Sequence, residues 1–130
     1  MKSKILIVSA RYYKDFSKSL ELYAISILKR KKVKYKIVPV PGVFEIPVVI
    51  AKNIKKYDGF IALGCVIKGE TPHFDFISQA TINAVMKLSI EYKKPIGNGI
   101  ITCLNMNQAI ARKKKGREAA QAVLSVLNIF

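Results

Sequence analysis

The only histidine of the 130-residue sequence, His73, is its best candidate for acid–base chemistry. It follows a loop, KGETP, that comes after the most apolar run of the chain, and it precedes a long segment with helical spacing of apolar residues. The positive end of a helix dipole favours a neutral imidazole, which can accept a proton. A lone histidine is more often structural or simply exposed, but this setting favours a functional role.

Three further residues could bind a ligand. Glu45 lies between two apolar residues in the run PGVFEIP, where a carboxylate needs a hydrogen-bond partner, and a place in the first turn of a helix explains it equally well. Thr71 could cap the helix that is predicted to begin at Phe74, or it could help to hold a phosphate. Arg112 could bind an anion, or it could lie at a solvated helix end beside three lysines.

The elements that must position these residues alternate between strand and helix. Runs of β-branched and apolar residues predict strands over 4–9, 33–40, 59–67 and 95–103. Helical spacing predicts helices over 16–31, 45–56 and 74–92. It also predicts one or two C-terminal helices, over 106–115 and 117–127, punctuated by Gly116. The second strand alternates apolar residues with lysine and contains Pro39, which is typical of a sheet edge. Gly97 and Gly99 in the fourth strand indicate close approach of another backbone segment.

This alternation predicts a single α/β domain over residues 1–130, a three-layer α/β/α, flavodoxin-like fold with a four-stranded parallel sheet. The carboxyl ends of parallel strands meet at one edge, so the loops after the strands converge there. These loops contribute Arg11, Tyr12, Tyr13, residues 41–47, residues 68–73, Leu104, Asn105 and the helix that contains Arg112. Aromatic rings, a carboxylate, an imidazole and cations at one edge would suit a planar, hydrogen-bonding ligand and an anion.

The composition and the missing motifs exclude several classes of protein. With 51% hydrophobic residues the chain is too apolar for a disordered basic tail, although 23 Lys and Arg against 8 Asp and Glu give a net charge of +15. Most of the basic residues are lysine, which favours a solvated surface over base recognition, and an anionic substrate or a nucleic acid is the alternative. The sequence has no G-x-G-x-x-G after the first strand, no Walker loop and no G-x-S-x-G, so dinucleotide binding, nucleotide hydrolysis and serine hydrolysis lose their usual support.

The two cysteines, Cys65 and Cys103, each lie in an apolar stretch. With one histidine and no second cysteine pair, they argue against a metal site and against a disulfide framework. No apolar run approaches the ~18 residues that cross a bilayer, and the first residues lack the pattern of a signal peptide. We therefore expect a cytoplasmic protein without a metal.

Three motifs, in this order, resemble those of the 6,7-dimethyl-8-ribityllumazine synthases. They are PGVFEIP at 41–47, GCVIKGETPHFDF at 64–76 and NQAIAR at 107–112. The resemblance implies a transferase of riboflavin biosynthesis that condenses 5-amino-6-(D-ribitylamino)uracil with 3,4-dihydroxy-2-butanone 4-phosphate and releases phosphate and water. It also implies that the enzyme uses no cofactor, and that it forms a homopentamer with its sites between adjacent subunits.

The resemblance further implies a role for each matching residue. His73 matches the proposed acid–base residue. Contacts to the pyrimidine and its ribityl chain match Tyr12, Val43, Phe44, Glu45, Cys65, Val66 and Ile67, and Tyr12 stands where the family usually has Phe. Contacts to the phosphate match Glu70, Thr71 and Arg112. Asn98 replaces an aromatic residue that the neighbouring subunit places over the ring, and the stretch after Arg112 is shorter than in many members.

Two alternatives stay open at this point. A basic RNA-binding module has only the charge in its favour, because RNP-like aromatic residues and G-x-x-G loops flanked by basic residues are missing. A non-catalytic flavin- or lumazine-binding protein of the same fold would keep the pocket without turnover. As partners we expect the small-molecule substrates and other copies of this chain, and neither nucleic acid nor a membrane.

Overall fold

The four predicted strands form one parallel sheet. A computed structural model of the protein describes residues 3–130. Its strands are β1 (Lys4–Ala10), β2 (Lys34–Val40), β3 (Gly59–Ile67) and β4 (Ile96–Cys103), in the spatial order β2-β1-β3-β4. Every neighbouring pair is parallel, and β2 lies at an edge, as its lysine alternation predicts. The strand order changes direction between β1 and β3, which is where ligands bind in open parallel sheets.

Helices cover both faces of this sheet. They are α1 (Lys14–Arg30), α2 (Ile46–Lys52), α3 (His73–Tyr92), α4 (Met106–Ala111) and α5 (Lys115–Val126), with a 3₁₀ turn at Val43–Glu45 before α2. The helices α1 and α5 pack on the face that carries Ile5, Ile7 and Leu63, while α2 and α3 pack on the face that carries Leu6 and Phe60. Because both faces are covered, β1 and β3 are buried on both sides, which explains their continuous apolar runs. The predicted three-layer α/β/α, flavodoxin-like fold is confirmed.

The helix predicted over 45–56 is shorter than its sequence pattern indicates. The 3₁₀ turn replaces its start, and α2 ends at Lys52. Beyond that point the side-chain amide of Asn53 donates to the Val49 carbonyl at 2.8 Å. The ammonium group of Lys94 donates to the Ile54 and Tyr57 carbonyls at 2.6 and 2.9 Å. Side chains therefore satisfy carbonyls of the last turn of α2 and of the segment that follows it, and the helix need not continue.

The helix boundary predicted at Gly116 is wrong. The first C-terminal helix ends at Ala111, and Gly116 lies inside α5. A Cβ atom at position 116 would lie 2.2 Å from the backbone oxygen of Leu20, so α1 and α5 approach each other too closely for any side chain there. The glycine reflects helix packing rather than a helix end. Within residues 3–130, no helix is both long and apolar enough to cross a bilayer.

Candidate functional site

The loop after β1 presents an aromatic ring at the point where the strand order reverses. Tyr12 is 76% exposed, and its ring meets that of Tyr13 edge to face, with 4.9 Å between the ring centroids. The backbone N–H of Arg11 donates to the Val40 carbonyl at 2.9 Å, which joins the loop to the end of β2. As predicted, the Tyr12 ring is available at the carboxyl edge of the sheet.

A buried carboxylate that the sequence analysis did not single out lies behind this loop. Glu21 of α1 is 5% exposed. Its Oε1 accepts a hydrogen bond from Arg11 Nη2 at 2.8 Å, and its Oε2 accepts from Arg11 Nε at 3.0 Å and from Ser9 Oγ at 2.6 Å. The hydrogen bond to Glu21 raises the pKa of the Arg11 guanidinium. The sequence did contain a signal for this residue, because Glu21 lies between Leu20 and Ala24, two positions of the helix that are buried.

The PGVFEIP segment forms the 3₁₀ turn at the end of β2. Val43 is buried, whereas Phe44 projects into solvent. The Glu45 Oε1 accepts a hydrogen bond from the backbone N–H of Gly42 at 2.9 Å. This bond supplies the partner that a carboxylate between apolar residues requires. It also fixes the position of the Glu45 carboxylate. Glu45 directly follows Phe44 in the sequence, and the Phe44 ring is exposed.

The third strand ends beside these groups and leads into the KGETPH loop. Cys65 is buried, and Val66 and Ile67 are half-buried at the end of β3. Burial, with a smaller contribution from Cys103, raises the pKa of the Cys65 thiol to about 12. The thiol therefore stays protonated near neutral pH and is a poor nucleophile.

The KGETPH loop exposes the predicted phosphate and acid–base residues. Glu70, Thr71 and His73 are all exposed. Helix α3 begins at His73, one residue before the predicted start at Phe74. The Thr71 Oγ1 accepts a long hydrogen bond of 3.4 Å from the His73 backbone N–H, so the hydroxyl does lie at the start of this helix. The imidazole of His73 extends from the first turn of α3 into solvent.

Arg112 and Asn98 lie along the free edge of β4. Arg112 follows α4 and lines a cavity of about 430 Å³. The other residues that line it are Ile100, Ile101, Thr102, Ala111, Lys114, Lys115 and Glu118. Asn98 is exposed on β4, and its Oδ1 accepts a hydrogen bond from the Ile100 backbone N–H at 3.0 Å. No other predicted site residue lines the Arg112 cavity. By their place in the sheet the predicted residues form two groups: those at the ends of β1, β2 and β3 and in the loops that follow, and Asn98 and Arg112 on and after β4.

A second cavity, of about 440 Å³, lies between the start of α1 and α4. Its walls include Tyr13, Phe16, Met106 and Ile110, together with the cations Lys14 and Lys113. None of the predicted substrate contacts lines it. Cavity volume alone therefore does not locate the site that the motifs predict.

Comparison with known proteins decides between the open interpretations. A family model described as 6,7-dimethyl-8-ribityllumazine synthase matches residues 2–130. The chain belongs to this family. Among curated members it is 47% identical to the enzyme of Bartonella henselae, over 97% of this chain and 87% of that one. It is 43% identical to the enzyme of Bartonella bacilliformis, over 95% and 87% of the two chains. The identity to the Agrobacterium fabrum enzyme is 41%, over 98% and 95%.

The family match confirms the resemblance carried by the three motifs. None of the relatives named here favours the non-catalytic binding protein or the RNA-binding module. A solved flavone reductase structure aligns with a TM-score of 0.48 and 11% identity, over 98% of this chain and 65% of its own, which is too distant to support any argument.

Proposed function

We propose that this member of the lumazine synthase family carries out its condensation at sites shared by adjacent subunits of a homopentamer. As an enzyme of this family, the protein condenses 5-amino-6-(D-ribitylamino)uracil with 3,4-dihydroxy-2-butanone 4-phosphate. The products are 6,7-dimethyl-8-(D-ribityl)lumazine, phosphate and water, in riboflavin biosynthesis. The proposal includes one domain over residues 1–130 and a cytoplasmic location, as predicted from the sequence.

The separation of the predicted residues into two groups carries the shared-site proposal. Tyr12, Glu45 and His73 follow β1, β2 and β3, around the position where the strand order reverses. Arg112 and Asn98 instead lie at the free edge of β4, in and beside a cavity that the first group does not line. A neighbouring copy that brings its β4 edge to the first group would unite the ring contacts with the phosphate cation.

An apolar surface beside the first group supports the same arrangement. On α3 the side chains of Phe76, Met86 and Ile90 are 69%, 58% and 69% exposed. Phe44 in the 3₁₀ turn and Val48 in α2 are also exposed. Several large apolar side chains exposed on neighbouring elements are unfavourable in water and favour an interface there. A second copy of this chain is the occupant that the shared site requires.

The chemistry assigns each group a task. A ring amine of the pyrimidine attacks the ketone, and water leaves to give a Schiff base. Phosphate is then eliminated to give an enol that becomes a carbonyl. The second nitrogen attacks this carbonyl, and a second water leaves as the ring closes. His73 relays protons between these steps. Arg112 and the Thr71 turn stabilise the leaving phosphate. Tyr12 and Glu45 hold the pyrimidine, so that the two nitrogens meet the ketone in order.

Mixed rings test the shared site. We expect that co-refolding equal amounts of His73→Ala and Arg112→Ala subunits will restore about a quarter of the wild-type sites. A shared site is intact when the subunit that contributes His73 is the Arg112→Ala variant and its neighbour is the His73→Ala variant. Random mixing in a closed ring gives this arrangement at one site in about four. Lumazine fluorescence at limiting butanone phosphate measures the restored activity. If mixed rings are no more active than the average of the two parents, the shared-site proposal is wrong.

A second mixture, of wild-type and doubly substituted subunits, tests the shared site independently. Rings of wild-type subunits and subunits with both substitutions should have about a quarter of wild-type activity if the site is shared, and about half if each chain holds a whole site. Native mass spectrometry confirms that the subunits have mixed and counts the subunits in each ring. A pure monomer with full activity would contradict both the pentamer and the shared site.

The role of Arg112 has its own test. We expect Arg112→Ala to raise the KM for butanone phosphate about tenfold, and to change the KM for the pyrimidine less than about twofold, because only the first substrate carries a phosphate. Steady-state kinetics with each substrate varied in turn measures both constants. Arg30→Ala, which removes the same charge from the exposed end of α1, is the control. Equal increases in both KM values would indicate a structural role for Arg112.

A further inference from the structure

The backbone that leads into the Tyr12 loop is tied to α1 at three consecutive residues. The Ser9 hydroxyl and the Arg11 guanidinium both donate to the carboxylate of Glu21. Between them, the Ala10 carbonyl accepts a hydrogen bond of 2.6 Å from the buried hydroxyl of Ser17. After the loop, the backbone N–H of Ser17 donates to the Tyr13 carbonyl at 2.9 Å. The chain is therefore restrained on both sides of Tyr12.

Stability alone is a poor reason for this arrangement. A carboxylate that is 5% exposed loses most of its hydration, and its ion pair with Arg11 compensates this loss only in part. Apolar side chains of similar volume would fill the same space between α1 and the sheet without that cost. What the ion pair adds is direction, because a guanidinium that donates from two nitrogens to one carboxylate holds a single orientation.

The orientation of the Tyr12 ring depends on groups other than its own side-chain contacts. Its side chain is 76% exposed, and its ring contacts the Tyr13 ring edge to face, so packing against the core does little to fix where the ring lies. The three-residue connection from β1 to α1 leaves the ring position dependent on the backbone of Arg11 and Tyr13. A ring that is already in place before the substrate arrives loses less conformational freedom on binding, which strengthens the stacking contact.

We propose that Glu21 is a positioning residue for the pyrimidine substrate. Through Arg11 and Ser9 it fixes the end of β1, and it thereby holds the Tyr12 ring where the pyrimidine stacks. The proposal rests on the proposed role of Tyr12 in the shared site. Glu21 itself lies behind the loop and touches no substrate.

The variant Glu21→Gln tests this, because it keeps the shape of the side chain and removes the charge that holds Arg11. We expect the KM and the dissociation constant for the pyrimidine to rise about tenfold, and the KM for butanone phosphate to stay within about twofold. The control Ser89→Ala removes a hydrogen bond of 2.7 Å to the Lys94 carbonyl, at the opposite edge of the sheet. It should change neither KM.

A second variant separates positioning from folding. Glu21→Leu combined with Arg11→Met and Ser9→Ala replaces the ion pair by apolar contacts and leaves no buried hydroxyl without a partner. We expect its thermal midpoint to equal or exceed that of the wild type. The KM for the pyrimidine should nevertheless stay raised, because the apolar pair does not orient the loop. If this stable variant regains the wild-type KM for the pyrimidine, Glu21 contributes only to folding and the proposal is overturned.

A double-mutant cycle with Tyr12→Ala distinguishes the two proposals. If Glu21 acts through Tyr12, adding Glu21→Gln to Tyr12→Ala should raise the KM for the pyrimidine no further. If Tyr12→Ala raises this KM while Glu21→Gln alone leaves it unchanged, only the positioning role is wrong. If Tyr12→Ala has no effect on pyrimidine binding, the proposed role of Tyr12 fails, and the positioning role fails with it.

Discussion

The variant His73→Ala will lower turnover by about 10²-fold or less and will not abolish it. The amine and the ketone already react with each other, so holding them in the correct orientation supplies more of the rate than proton transfer does.

Turnover is measured from lumazine fluorescence with both substrates saturating, and pyrimidine binding by titration serves as the control for an intact site. The variant should bind the pyrimidine with an affinity close to that of the wild type, since Tyr12 and Glu45 are unchanged. A folded variant that binds the pyrimidine but forms no product would show that proton transfer, and not orientation, dominates the rate.

The variant Gly97→Ala will destabilise the fold by about 3 kcal/mol. A Cβ atom at this position would lie 2.2 Å from the backbone oxygen of Ala119 and 2.9 Å from the Val123 side chain. A backbone oxygen cannot move aside unless the whole of α5 moves away from β4. We expect a thermal midpoint that is lower by about 10 °C, measured by circular dichroism.

Gly69→Ala is the matched control for this substitution. A Cβ atom at position 69 meets nothing within 4 Å, and the stability should change by less than about 0.5 kcal/mol. If Gly97→Ala has the same thermal midpoint as Gly69→Ala, the close packing of α5 on β4 is wrong. The close backbone approach predicted at Gly97 from its place in a strand agrees with this packing.

Part of the candidate site could be predicted because its residues follow directly from strand ends. Once 59–67 is recognised as a buried parallel strand, the loop with Thr71 and His73 must lie at the carboxyl edge. The same reasoning places Tyr12 after β1. It does not reveal that Arg112 turns to the free edge of β4, because that depends on how α4 leaves the sheet.

The buried ion pair of Glu21 is a second feature that the sequence analysis did not predict. Its partners Ser9 and Arg11 belong to a strand end and a loop, and Glu21 belongs to the following helix. A single charged residue in an amphipathic helix usually points to solvent, but the spacing of Glu21 from Ala24 and Leu28 places it on the buried face of α1. Only the tertiary structure shows that Ser9 and Arg11 supply the hydrogen bonds that a buried carboxylate needs.

The sequence by itself determined the sheet and the identity of the long helices. The run Gly59–Ile67 is apolar at nearly every position because both faces of β3 are buried, and the predicted limits of this strand agree with the structure. Helical spacing likewise placed α3 to within one residue at its start. These features depend on local periodicity, which a single stretch of chain contains.

The tertiary structure decided the features that depend on contacts between distant segments. Lys94 binds carbonyls of the segment that follows α2, and the close approach at Gly116 inside α5 involves the backbone of α1. The burial of Glu21 depends on Arg11. In each case a residue's role is determined by the segment that packs against it, and the local spacing of residue types does not specify which segment that is.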